Sequence, residues 1–167
     1  IERCFIHEKT NDFPGIGIYE QNPHLIKKYR EFLLNAAEHS FAGKTIVLDC
    51  AFGAAHRIAP EVFRRAGASV IAANCVDDGL SINKNCGAVY PQNLARKVLR
   101  YKADMGFAFD GDADRLIAVD EHGEVIDGDM ILCALAKYFD ANGKLPCRTA
   151  VGTSHTNMAI EDDLKAN

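Results

Sequence analysis

The chain has no apolar run approaching about 18 residues, so no segment reads as a membrane-spanning helix. Its six cysteines (Cys4, Cys50, Cys75, Cys86, Cys133 and Cys147) form no CxxC pair and no zinc-finger spacing, which argues against a structural zinc site. A basic stripe and an aromatic platform are both missing, and the formal charge is −4; nothing here suits a nucleic-acid surface. No signal peptide, internal repeat or low-complexity segment is recognisable. What remains is ordinary: 48% hydrophobic and 25% charged residues, the balance of a soluble globular protein. A chain of 167 residues can bury one real core. Most of the cysteines fall inside expected elements, where a free thiol packs as a small apolar group. Buried thiols in a reducing, cytoplasmic setting are therefore expected rather than a disulfide framework. The first residue is Ile1 rather than Met, and Asn157 to Asn167 reads as an interrupted helix; the expectation is a piece of a longer protein.

Residues 1–40 read as a lead-in segment and a linker helix. Ile1 to Gln21 has no clear period and contains Pro14, whereas Pro23 to Glu38 has helical spacing through Leu25, Ile26, Tyr29, Leu33 and Ala36, with proline near the first turn. Gly43 breaks that pattern. A βαβ pattern follows: a strand over Thr45 to Leu48 ending at Asp49, a helix over Pro60 to Ala66, a strand over Ser69 to Ala73, a helix over Gln92 to Lys102, and a strand over Met105 to Phe109. Leu116 to Asp120 must return antiparallel, because the short loop before it cannot make a parallel crossover. After a turn at His122-Gly123, a helix runs from Asp127 to about Phe139. The fold class is thus α/β: a three-layer α/β/α domain over 41–143, with a mixed, mostly parallel sheet of about four strands and one antiparallel edge strand. Residues 144–167 read as the truncated first βα unit of a following domain.

Asp110-Gly111-Asp112-Ala113-Asp114-Arg115 carries the chemistry. Three carboxylates alternate with two small residues at the carboxyl end of a central strand, where ligand sites of such sheets gather. Ionised carboxylates crowded this way repel one another and call for a cation. All-oxygen ligation selects a hard ion, Mg²⁺ or Ca²⁺, and not zinc. On a straight strand, residues two apart lie about 6.6 Å apart and residues four apart about 13 Å, too far for oxygens sharing one ion. The backbone must curl, and Gly111 and Ala113 would let it. An EF-hand fails on the same residues: Arg115 stands where the calcium loop needs glycine, and the flanks are strand-like. Arg115 could fork onto phosphate oxygens beside a bound ion, or form a salt bridge with a neighbouring aspartate.

Other segments have plainer readings. Asp127-Gly128-Asp129 precedes an apolar helical stripe and reads as a cap, not a second metal site. Cys50 to Ala55 lies between strand and helix but has a single glycine and no P-loop lysine, so a tight βα turn is expected rather than a phosphate cradle. Thr153-Ser154-His155 reads as surface or capping, since chain neighbours seldom point at each other. His7, His24, His39, His56 and His122 are scattered and read as solvated.

The stretch Phe107 to Arg115 resembles the metal loop of the α-D-phosphohexomutase superfamily. Further matches lie at Asp49-Cys50-Ala51, Gly53-Ala54, Ile58-Ala59-Pro60, Gly67-Ala68, Ile82-Asn83, Cys86-Gly87 and Gly128-Asp129. The resemblance covers nearly the whole chain, and Ile82 to Pro91 looks like the glucosamine branch; the phosphomannomutase and phosphoglucomutase branches are the alternatives within the superfamily. A non-catalytic divalent-cation-binding module is the alternative outside it. Members have four domains, and this chain is similar to the second. The resemblance implies an enzyme that interconverts glucosamine 6-phosphate and glucosamine 1-phosphate through a phosphoserine. It also implies Mg²⁺ as cofactor on Asp110, Asp112 and Asp114, with Arg115 near the transferring phosphoryl group. The phosphoserine loop and the sugar- and phosphate-binding domains have no counterpart here, so the fragment alone is expected to be inactive. Phe52 stands where the family usually has Asn, and His155-Thr156 replaces Met-Ser.

Overall fold

The computed structural model describes residues 18–166. Most of the segment expected to be extended, with Cys4 and His7, lies outside them. The first helix, α1, spans Pro23–Ala36; Asn22 caps it by accepting from the His24 N–H, and proline fills its first turn. A five-stranded sheet follows, made of β1 (Thr45–Asp49), β2 (Ser69–Ala73), β3 (Met105–Phe109), β4 (Leu116–Asp120) and β5 (Val125–Ile126). Its order is β2-β1-β3-β4-β5. The pairs β1–β2 and β1–β3 are parallel, and β3–β4 and β4–β5 antiparallel. The three-layer α/β reading holds. One detail differs: β4 is not the edge, because the two-residue strand β5 pairs along its outer side.

Alternation along β1 explains the layers. Ile46 and Leu48 point to one face and join Ala55, Ala59 and Phe63 of the segment containing α2 (Ile58–Arg65). Val47 points to the other face and joins Leu94 and Val98 of α3 (Pro91–Tyr101), with Ala108 and Val119. Ile46, Val47, Leu48, Leu94 and Val98 are fully buried, each stabilising the fold by about 1.5–3 kcal/mol through lost contact with water. On the α2 side, Phe41, Phe63 and Phe107 form a run of tilted rings 5.4 and 5.5 Å apart. The chain leaves β1 toward β2, and β3 toward β4, so loops at the carboxyl ends of β1 and β3 diverge. The crevice between these neighbours is where open α/β sheets place their sites.

Helix α4 (Gly128–Ala141) starts at Asp127, whose carboxylate accepts from the Met130 N–H at 2.9 Å, so the capping reading is right. Asp127→Ala should lower the unfolding free energy by about 1 kcal/mol, read as a shift of the urea midpoint with unchanged slope. Helix α5 (Met158–Ala166) forms as expected, but residues 149–153 pair with no strand among the described residues. A strand exists only where a neighbour takes its backbone bonds, and no strand of the sheet runs beside these residues. Asp129 instead tethers α5, accepting from the Asn157 N–H at 2.9 Å. The five described cysteines are free thiols: Cys50, Cys86 and Cys133 buried, Cys75 half-buried and Cys147 exposed. Among the described residues no helix is long and apolar enough to cross a membrane.

Candidate metal centre

The acidic loop leaves β3 and curls at once. Asp110 organises it: its carbonyl accepts from the Ala113 N–H at 3.2 Å, and its carboxylate Oδ1 accepts from the Arg115 N–H at 3.1 Å. Ala113 sits at φ +63°, the left-handed turn that a straight strand cannot make. The result brings one oxygen from each of Asp110, Asp112 and Asp114 within 4.8 Å of one another. Oxygens around a Mg²⁺ ion at about 2.1 Å stand about 3–4.2 Å apart in an octahedron, so this set fits a hard cation with a small closure of the loop. Asp110 is only 7% exposed, while Asp112 and Asp114 face solvent.

The electrostatics follow from that asymmetry. Burial works against the charge on Asp110, but the Arg115 N–H, the Asp114 carboxyl and the Arg115 guanidinium outweigh it and hold its pKa below the usual carboxylate range. Asp114 is pushed above that range, chiefly by its hydrogen bond with Asp110 and then by the charge of Asp112. Asp110 therefore keeps its charge, and Asp114 is the first of the pair to accept a proton. Crowded carboxylates with opposed shifts are what a cation relieves. The Arg115 Nε lies 3.6 Å from Asp110 and 3.9 Å from Asp114, with the side chain 75% exposed. Such long, solvated pairs hold a guanidinium weakly.

Three segments wall the loop in. The turn after β1 donates the Ala54 N–H to the Gly111 carbonyl at 2.8 Å. Gly53 approaches so closely that a Cβ there would lie 2.2 Å from that same oxygen. On the far side, Ile82 and Asn83 cover Gly111, and Gly87 lies under the Phe109 carbonyl, 2.4 Å from where its own Cβ would be. The resemblance singled out Gly53-Ala54, Ile82-Asn83 and Cys86-Gly87 but gave them no role as walls of the loop. In the residues themselves the signal is a glycine or an asparagine where the backbone must approach closely or turn left-handed, as Asn83 does at φ +60°.

The turn over Cys50 to Ala55 is tight, as expected, and holds no phosphate cradle. The N–H groups of Phe52, Gly53 and Ala54 are already taken by the carbonyls of Asn74, Cys50 and Gly111. Ala51 and Phe52 both lie in the left-handed region, at φ +50° and +56°, costing about 1–2 kcal/mol each for residues with a Cβ. Thr153 and Thr156 close a local turn, with the Thr153 N–H donating to Thr156 Oγ1 and the His155 N–H to Thr153 Oγ1. A groove between α4 and α5, lined by Leu132, Ala136, Ile160 and Leu164, includes none of the three aspartates.

Comparison with known proteins supplies the context. Residues 26–123 match the family described as phosphoglucomutase/phosphomannomutase, alpha/beta/alpha domain II. Among curated proteins, the phosphoglucosamine mutase of Dictyoglomus turgidum is 47% identical over 90% of this chain and 34% of its own length. That of Caldicellulosiruptor saccharolyticus is 50% identical over 96% of this chain and 37% of its own. A crystal structure of a phosphoglucomutase/phosphomannomutase family protein from Burkholderia thailandensis superposes with a TM-score of 0.67 at 28% identity, covering 84% of this chain and 31% of that one. The chain spans about a third of the length of the curated relatives it matches.

Proposed function

The chain belongs to the phosphoglucomutase/phosphomannomutase family as its α/β/α domain II, and on that premise we propose that it is the Mg²⁺-holding part of a phosphoglucosamine mutase. Asp110, Asp112 and Asp114 would hold the ion, and the observation that carries this is their convergence to within 4.8 Å on a loop walled by backbone. Bound there, Mg²⁺ would neutralise and align phosphoryl oxygens, which is most of what phosphoryl transfer asks of a protein. The residues of this chain do the rest of the positioning. Asp110, nearly buried and bonded to the Arg115 N–H, fixes the base of the loop; Asp112 and Asp114 present their oxygens outward. Arg115, exposed and charged, would reach oxygens of the group in transit.

The substrate reading is a hexosamine phosphate, converted between its 6- and 1-phosphates through a phosphoserine that this chain does not carry. The names of the curated relatives support it. The phosphoserine, sugar and phosphate sites would come from the rest of a longer, cytoplasmic polypeptide, with 41–143 as the metal domain and 144–167 opening the next. The full-length protein should convert glucosamine 6-phosphate in a Mg²⁺-dependent assay much faster than glucose 1-phosphate or mannose 1-phosphate run beside it. Preference for mannose or glucose phosphates would move it to the other branches. No turnover of any of the three with Mg²⁺ would leave only a cation-binding module.

A further inference from the structure

Asp49 is a buried charge that the metal loop does not use. It closes β1 after Ile46, Val47 and Leu48, and like them it is 0% exposed. Among the described residues no Lys, Arg or His stands within ion-pair distance of it. A carboxylate left in a core without a cation is unfavourable unless hydrogen bonds satisfy it, and an apolar residue would pack the same space at no such cost. Its bonds all lead one way. Asp49 Oδ1 accepts from the Ala51 N–H at 3.0 Å, and both oxygens accept from the Asn74 amide, each at 3.0 Å.

Asn74 grips the same turn a second time. It sits at φ +52° just past β2, and its backbone carbonyl accepts from the Phe52 N–H at 2.8 Å. One asparagine thus holds residue 49 through its side chain and residue 52 through its backbone. Between them Ala51 and Phe52 are kept in the left-handed region, the conformation that an L-residue leaves most readily when released. From this turn, contacts lead on to the acidic loop. The Ala51 carbonyl accepts from the Asn83 N–H at 3.1 Å, Asn83 covers Gly111, and the Ala54 N–H donates to the Gly111 carbonyl.

We propose that Asp49 and Asn74 form a positioning pair: their side-chain hydrogen bonds lock the left-handed turn at 51–52, and the turn sets where Gly111 and the flanking carboxylates of Asp110 and Asp112 stand. The pair touches no substrate and no ion. Its metal readout rests on the proposal that the acidic loop holds Mg²⁺; its geometric readout does not.

Three variants of the 167-residue chain test this, each followed by Mg²⁺ titration calorimetry and by amide hydrogen exchange at Ala54. Asn74→Asp sets a carboxylate against Asp49 and should weaken Mg²⁺ binding by about 10–100-fold, the range for lost outer-shell partners, with faster exchange at Ala54. Combining Asp49→Asn with Asn74→Asp restores a donor facing an acceptor and still leaves an oxygen for the Ala51 N–H; most of the loss should be recovered. Asn74→Gly keeps the left-handed backbone and deletes only the amide, so it reports even where the first variant does not fold. Unchanged Mg²⁺ affinity together with unchanged Ala54 exchange in Asn74→Gly overturns the proposal, as does a combined variant no better than Asn74→Asp alone. A lower melting temperature with both readouts unmoved means that the pair only stabilises the fold, which also overturns it. If the unsubstituted chain takes up no Mg²⁺, the metal reading fails, and Ala54 exchange still decides whether the pair positions the loop.

Discussion

Gly53→Ala should both destabilise the chain and displace the acidic loop. The methyl group would be placed 2.2 Å from the Gly111 carbonyl oxygen, 2.6 Å from its Cα and 2.7 Å from its carbonyl carbon. All three are backbone atoms, so no rotamer change relieves the clash; either β1's turn or the metal loop must move. Overpacking a tight site costs about 1–3 kcal/mol and occasionally more, and a backbone-on-backbone clash belongs at the upper end. The Ala54 to Gly111 hydrogen bond would be lost with it. Gly128→Ala is the control, since nothing lies within 4 Å of a Cβ there and the site begins α4. It should be neutral or slightly stabilising. Chemical denaturation of both, with Mg²⁺ titration of the folded variants, decides the matter. A Gly53→Ala chain as stable as the Gly128→Ala chain, with unaltered Mg²⁺ affinity, would show that the two loops are not in contact.

That contact marks the limit of what the chain discloses by itself. The four longer strands could be placed within a residue because each is a short apolar run between turn formers, and β1 through β3 had enough apolar residues to satisfy both faces. Val125–Ile126 could not, since two residues show no alternation; β5 exists because β4 offers it a free edge. The unpaired backbone at 149–153, expected to open a βα unit, went the other way, with no strand beside it to join. The three aspartates were legible because they are contiguous and their mutual repulsion has only one common remedy. The walls of their loop were not. Gly53, Asn83 and Gly87 come from segments brought together only by the parallel order β2-β1-β3. Asp49 looked like the end of a strand, and only its burial and its bonds to Asn74 reveal a second role.

Asp112→Asn should separate metal binding from folding most sharply. Asp112 is solvent-facing, no hydrogen bond to another residue is made by its side chain among those described, and its charge helps drive the Asp114 pKa upward. Removing that charge takes away repulsion and nothing else, so the metal-free chain should melt at the same temperature or slightly higher. Mg²⁺ binding should fall by about a hundredfold or more, because loss of outer-shell partners alone is worth about 10–100-fold and here an ionised ligand itself is removed. Asp110→Asn makes the contrast. Asp110 is 7% exposed and accepts from the Arg115 N–H, so its replacement should weaken the loop as well as the site, lowering both the melting temperature and the affinity. Calorimetric titration with Mg²⁺ and thermal unfolding without it distinguish the two patterns. In the full-length protein, Asp112→Asn should abolish turnover while leaving expression and melting temperature intact. Full activity at limiting Mg²⁺ would remove Asp112 from the metal site and, with it, the reason for three carboxylates to share one turn.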